Sequence, residues 1–274
     1  KFALANDLPS RPIGVASLPP TALAEYQAQV QADAVTAAES MEGLVSVDPA
    51  LLAPPTPDAF LMTFRNSAQV RVLRFSADAL SAPVKPFLVD AGGVPIDANS
   101  VGSDSRGVAI DASARQEAER RCAGEVSCIT QAALTPVDVY IANRSPASLL
   151  IGRTRPPQEH PYFYQTVPLT FGPSRVVVGK ARAENGELET RVFVICFDSR
   201  RVFVYDPKRL RIETEILTGR GPHAVAVDSQ RALLYVAHFT DSYIGVFSLD
   251  LRSPASYGTM LGTLGNPSPP RSSK

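Results

Sequence analysis

Arg106, Arg175 and His223 each stand just before a small or β-branched residue (Gly107, Val176, Ala224) and just after a turn residue (Ser105, Ser174, Pro222). Ile13 holds the same place before Gly14. If these four starts converge on one axis, two guanidiniums and an imidazole point at one opening. The chemistry of such a set is anion binding. Arg grips carboxylate or phosphate with a bidentate fork, and His adds a charge that depends on pH. A structural reading competes with this. The same arginines can bond neighbouring carbonyls and carboxylates such as Asp104 and lock the chain together.

Catalytic machinery is not visible in the sequence. There is no G-x-S-x-G elbow, H-E-x-x-H pair, phosphate loop or dinucleotide fingerprint. With three histidines, a Ser-His-Asp set must be gathered from remote positions. His238 reads as a satisfied strand-end residue, and His160 as part of an irregular loop. Acidic residues are scattered rather than grouped into a calcium loop. The sequence therefore assigns no catalytic residue, no metal and no cofactor.

Cys122 and Cys128 flank the short loop Ala-Gly-Glu-Val-Ser. Paired, they staple a surface loop in an oxidising compartment; the alternative is two free thiols in a reducing one. Neither a nearby His nor a second Cys pair completes a zinc set. Cys196, at the end of an apolar run, reads as a packing residue.

The elements that must position these residues come from a repeat. His223–Val227, Leu234–His238 and the run from Ile244 form a plain unit of strand, strand, turn, strand. Variants begin at Ile13, Arg106 and Arg175, with second strands at Phe60–Phe64, Val139–Asn143 and Val192–Cys196. These runs are rich in β-branched and aromatic residues, and short polar turns make them antiparallel hairpins. A fourth strand reads clearly at Ile212–Leu217 and Tyr257–Leu264 and weakly in the first two copies.

The chain resembles the YVTN family of β-propeller repeat proteins, related to the lactonase-like seven-bladed propellers. The residues that carry this are PHAVAVD (Pro222–Asp228) with LYVAHFTDSYIGVF (Leu234–Phe247), and RGVAID (Arg106–Asp111) with VYIANRSPASLLI (Val139–Ile151). The resemblance implies an all-β propeller of four-stranded blades, with Arg106, Arg175 and His223 at the channel mouth. About four blades fall in this chain, which reads as the C-terminal part of a ring of roughly seven; the alternative is a closed ring of four. The remaining blades would come from another chain or an upstream segment.

The expected limits are blade 1 at 11–100, blade 2 at 105–170, blade 3 at 173–218 and blade 4 at 221–264, with a polar tail over 265–274. Against the plain fourth unit, extra residues fall between first and second strands, at 18–57 and 112–136. In antiparallel blades all such connections leave one face of the disc. Thr21–Met41 predicts an Ala-rich helix, Ser113–Arg121 a second, and Thr130–Leu134 a short third. These helices either dock a partner or cap their own blades.

Lys+Arg and Asp+Glu both number 27, so net charge favours neither nucleic acid nor an anionic membrane. No apolar run approaches the ~18 residues of a spanning helix; membrane association would need an anchor before Lys1, or a partner. The expectation is a non-catalytic, exported scaffold or binding module with a protein partner on its decorated face. The alternative is a lactonase-like hydrolase, or a module for an anionic ligand or sugar, working at the channel mouth.

Overall fold

The computed structural model describes residues 12–18, 59–65, 67–75, 88–95, 104–156 and 159–266. These form four antiparallel sheets of four strands, each in simple sequence order. Blade 1 holds β1 (Pro12–Ser17), β2 (Ala59–Phe64), β3 (Ser67–Phe75) and β4 (Leu88–Pro95). Blade 2 holds β5 (Ser105–Asp111), β6 (Asp138–Arg144), β7 (Ala147–Arg155) and β8 (His160–Pro168). Blade 3 holds β9 (Pro173–Arg182), β10 (Leu188–Cys196), β11 (Arg201–Asp206) and β12 (Arg211–Leu217). Blade 4 holds β13 (Pro222–Asp228), β14 (Leu233–His238), β15 (Ile244–Ser248) and β16 (Met260–Leu264).

The protein is thus all-β, with propeller-type blades. The weakly read fourth strands of the first two units exist as β4 and β8. His160, expected in an irregular loop, begins β8 and pairs with Arg155. The Ala-rich segment Thr21–Met41, most of the 18–57 insertion and the tail beyond Asn266 lie outside the described residues.

First strands pack side by side, β1 on β5, β5 on β9 and β9 on β13. This close approach explains the small residues at their starts. A Cβ on Gly107 would sit 3.1 Å from Arg175 Cα and 3.2 Å from the Val176 nitrogen. A Cβ on Gly179 would lie 2.7 Å from a Val227 methyl.

Each strand alternates its side chains between two faces, and consecutive blades share the apolar ones. Leu61, Val70 and Val72 of blade 1 meet Val139, Ile141 and Leu150 of blade 2. On the other face of blade 2, Tyr140, Ala142, Leu149 and Ile151 meet Val192, Val194 and Cys196 of blade 3. Phe193 and Ile195 then meet Leu234, Val236 and Phe247 of blade 4. Met62, Phe64 and Leu73, on the remaining face of blade 1, form a further buried cluster.

Blade 3 carries a buried charge network that reaches blade 4. Arg191 of β10 is 0% exposed and is the largest fully buried side chain among the described residues. Its guanidinium donates two 2.9 Å bonds to the Glu213 carboxylate, and a third of 2.9 Å to the Thr190 carbonyl. Glu189 accepts from it at 3.2 Å, and Asp206, also 0% exposed, lies at 3.5 Å. Tyr257 of blade 4 donates to the same Glu213 carboxylate, tying blade 3 to blade 4. Burial works against the Arg191 charge, but the Glu213 contact outweighs it and raises the pKa. Burial likewise opposes ionisation of Asp206, yet donors from Arg209 and Lys208 hold its carboxyl below the usual range.

Breaking such a network strands buried charge, which costs about 3–5 kcal/mol. Arg191→Ala should lower the unfolding free energy by about that amount in denaturant titration. A loss no larger than that of an exposed-arginine variant such as Arg231→Ala would show that the network is not a stabilising lock.

Candidate functional site

Antiparallel pairing puts first-strand starts and the turns after second strands at one end of the blades. Each first strand carries a bulge there. Ser105 and Gly107 pair with the consecutive residues Asn143 and Ala142, leaving Arg106 unpaired. The same register skip leaves out Ile13 in β1, Ser174 in β9 and His223 in β13. Backbone bonds confirm the equivalence. Arg144, Phe197 and Phe239 donate to the carbonyls of Asp104, Gly172 and Gly221, each two residues before the bulge.

This corrects the column read from the sequence. Arg106 and His223 are equivalent, but their counterpart in blade 3 is Ser174; Arg175 is equivalent to Gly107 and Ala224. A one-residue slip reverses the face of a side chain in a regular strand. Copy three gave no glycine or alanine to anchor the alignment, so its bulge was invisible.

The three candidates have different surroundings. The Arg106 side chain is 13% exposed, and its guanidinium holds Asp104 at 2.5 Å. Arg65, from the β2–β3 turn, reaches the same carboxylate at 3.8 Å. Arg106 therefore holds Asp104 within blade 2, and Arg65 makes the contact from blade 1. Arg144 makes a similar lock to Asp198 at 2.6 Å, between blades 2 and 3. Asp241 is held at 2.7 Å by Arg220 within blade 4.

Arg175 and His223 are exposed, and neither has an ion-pair partner among the described residues. Arg175 in β9 and His223 in β13 lie near the starts of adjacent first strands. The His223 ring lies 6.2 Å from that of Phe239, itself 77% exposed. The structure thus leaves two candidates exposed on adjacent first strands and ties the third into the frame. Side chains are not described for Ile13.

The opposite end of the first strands holds a feature that the sequence reading missed. A cleft of about 410 Å³ opens between the ends of β1, β5 and β9 and the residue following β13. Its polar groups include Asp111, Gln116, Lys180, Thr190 and Ser229. Asp111 Oδ1 accepts the Ser113 N–H at 2.9 Å, and Ser229 Oγ accepts the Lys180 N–H at 3.2 Å. The available signal was the polar residue closing successive first strands: Ser17, Asp111 and Asp228-Ser229.

Beside this cleft stands the insertion of blade 2, built from α1 (Ser113–Arg121) and α2 (Val126–Ala132). The first helix matches its expected limits. The second starts earlier than Thr130 because the Glu125 carboxylate accepts the N–H groups of Ser127 and Cys128 and caps it. Cys122 and Cys128 form a disulfide with Cα atoms 5.4 Å apart, joining the end of α1 to α2. The base of the insertion is fastened to its own blade. Arg115, buried, donates to the Thr135 carbonyl at 2.8 Å and pairs with Glu159 at 2.8 Å. Its outer surface stays open, with Val126 41% and Leu134 45% exposed.

Two residues with reactive side chains are structural. Cys196 is buried, and burial pushes its thiol up to about 12. His238 is buried with both ring nitrogens engaged. Nε2 accepts the Gly219 N–H at 3.0 Å, so Nδ1 carries the proton and faces the Tyr243 carbonyl at 3.3 Å. The ring stacks on Tyr243 at 4.3 Å. Burial holds the His238 pKa below its ordinary value. Among the described residues, no group of three or more His, Cys, Asp or Glu could hold a metal, and no helix is long and apolar enough to cross a membrane.

The depressed His238 pKa sets a direction. The unfolded chain takes up this proton first, below about pH 6.5, so stability falls with pH through that range toward the folded value. Urea melts at pH 7 and pH 5 should show a smaller loss for His238→Gln than for the unaltered chain. Equal losses would remove His238 as a contributor. Cys196 should resist thiol reagents in the native state and react once the chain is unfolded.

No family model matches the chain, and no curated protein matches it. Solved structures do. A protein from Lactobacillus plantarum is 14% identical over 85% of this chain and 60% of its own, with a TM-score of 0.47. A proposed 6-phosphogluconolactonase from Bacteroides fragilis NCTC 9343 is 14% identical over 76% of this chain and 52% of its own, with a TM-score of 0.49. Its counterpart from Bacteroides uniformis ATCC 8492 is 14% identical over 78% and 55%, with a TM-score of 0.48. The chain therefore spans between half and two thirds of the length of these structures, and its fold class rests on its own four sheets.

Proposed function

We propose that this chain is an exported, non-catalytic propeller scaffold of the YVTN-repeat type, which assembles with a protein partner through the face bearing α1 and α2. The observation that carries this reading is the stapled insertion. It is rigid at its base through Arg115 and crosslinked at its tip through Cys122–Cys128. It presents Val126 and Leu134 to solvent beside an open polar cleft. A small apolar group rimmed by polar residues is the usual make-up of a contact surface. The disulfide supports export, since such bonds persist in oxidising compartments.

Crosslinking in the native host tests this. The paired change Val126→Asp and Leu134→Asp should abolish a partner that the unaltered chain captures, while Arg175→Ala leaves it in place. Capture unchanged by the paired variant overturns the docking role.

A second reading, an anion site at Arg175 and His223, has one observation in its favour: both are exposed and, among the described residues, free of carboxylates. Inorganic phosphate should then shift the His223 ring resonances, with the effect lost in Arg175→Ala. No shift at millimolar phosphate sinks that reading.

A further inference from the structure

The three most exposed large apolar side chains among the described residues are Phe171 at 82%, Phe239 at 77% and Leu217 at 68%. All three lie at one end of the blades. Phe171 is in the connection that leads into β9, Leu217 ends β12, and Phe239 follows β14. This end also carries Arg175 and His223, and the insertion of blade 2 leaves from the other. Phe171 and Leu217 belong to blade 3, which has blade 2 packed on one side and blade 4 on the other. A further blade beyond blade 4 has no place against them.

The turns around Phe171 and Leu217 are braced, and the brace is the β10–β11 turn, Phe197–Arg200. The Thr170 hydroxyl donates to Ser199 Oγ at 2.8 Å. The Phe197 N–H donates to the Gly172 carbonyl at 2.8 Å, and the Thr218 N–H to the Arg200 carbonyl at 3.0 Å. Gly172 has φ +82°, and a Cβ on it would lie 2.7 Å from the Asp198 nitrogen. Phe171, Arg200 and Leu217 thus stand on one fixed platform. Single exposed apolar residues are ordinary on a surface, but three that share one end with uncompensated cations mark a contact.

The charge at this end is one-sided. Among the described residues, Asp104, Asp198, Glu215 and Asp241 are each held by an arginine. Arg175, Arg200 and His223 are exposed and have no carboxylate partner among the described residues. A partner must then be flat enough to meet tips from two blades, negative where it meets the arginines, and apolar just beneath. An anionic lipid layer has that order of properties, with phosphate headgroups outside and acyl chains within. Arginine stems and phenyl rings suit the boundary between the two.

We propose that the end of the blades bearing Phe171, Leu217 and Phe239 docks on the surface of an anionic lipid membrane, with Arg175 and Arg200 on the headgroups. The α1–α2 face then points away from the membrane. The proposal does not rest on the scaffold reading above.

Co-sedimentation of the full chain with lipid vesicles tests it. Vesicles containing one third phosphatidylglycerol in phosphatidylcholine should bind the protein, and vesicles of phosphatidylcholine alone should not. Phe171→Ser should weaken binding by about tenfold, and Arg200→Ala by about fivefold. Leu210→Ser, exposed at the opposite end of β12, should leave it unchanged. If Phe171→Ser alters the circular dichroism spectrum, Leu217→Ser takes its place. The chain has no Trp, so Phe171→Trp is a lone reporter. Its emission should shift to the blue on anionic vesicles, while that of Leu210→Trp should not. No binding to anionic vesicles overturns the proposal and leaves this end to an acidic protein. Equal binding to both vesicles, or binding that survives the Phe171, Leu217 and Arg200 variants, also overturns it. Release by millimolar inorganic phosphate at constant ionic strength overturns it in favour of a small-anion site.

Discussion

A blade is a sheet with two apolar faces, and the fold depends on the need to keep both from water. A lone four-stranded sheet buries at most one. Stacking blades around an axis lets each interface serve two sheets, so Val139 and Ile141 close blade 1 while Tyr140 and Ala142 are closed by blade 3. The axis then imposes a second demand. First strands crowd together, and Gly107 and Gly179 stand where a side chain would strike the neighbouring strand. Burial and crowding together explain why the repeat is written in small residues on the first strand and large ones on the second and third.

Polar groups at the ends of the blades answer to the same arrangement. Arg65 with Asp104 and Arg144 with Asp198 bridge successive blades at one rim. Arg191 with Glu213 and Tyr257 does so from within. Charge in this molecule is largely spent on holding sheets in place. Arg175 and His223 at one mouth, and the cleft with Asp111 and Lys180 at the other, stand outside that role.

The four blades were legible because alternation and turn residues recur, and the disulfide because two cysteines flank a short loop. Other features were not. The strands β4 and β8 lie at the outside, where a looser requirement for burial weakens the pattern. The Arg191 network was hidden because its members come from three strands and meet only once the register is known; a lone Arg at the head of Val-Phe-Val-Ile reads as a strand boundary. The strand position of Arg175 was misread because period-two counting cannot see an extra residue, and blade 3 has Val-Val-Val where the other copies carry a small residue to mark it.

That extra residue has a consequence of its own. A residue in a bulge is released from the ladder, so its identity is not dictated by a partner strand. In the four blades the bulge holds Ile13, Arg106, Ser174 and His223: an aliphatic, a fixed cation, a hydroxyl and a titratable ring. The frame around each is the same, down to the backbone bond from the turn that follows the second strand in blades 2, 3 and 4. Each blade therefore offers one position at the axis where chemistry can change while the architecture stays constant. The repeat acts as a set of interchangeable sockets, and the mouth of the channel takes its character from whichever side chains occupy them.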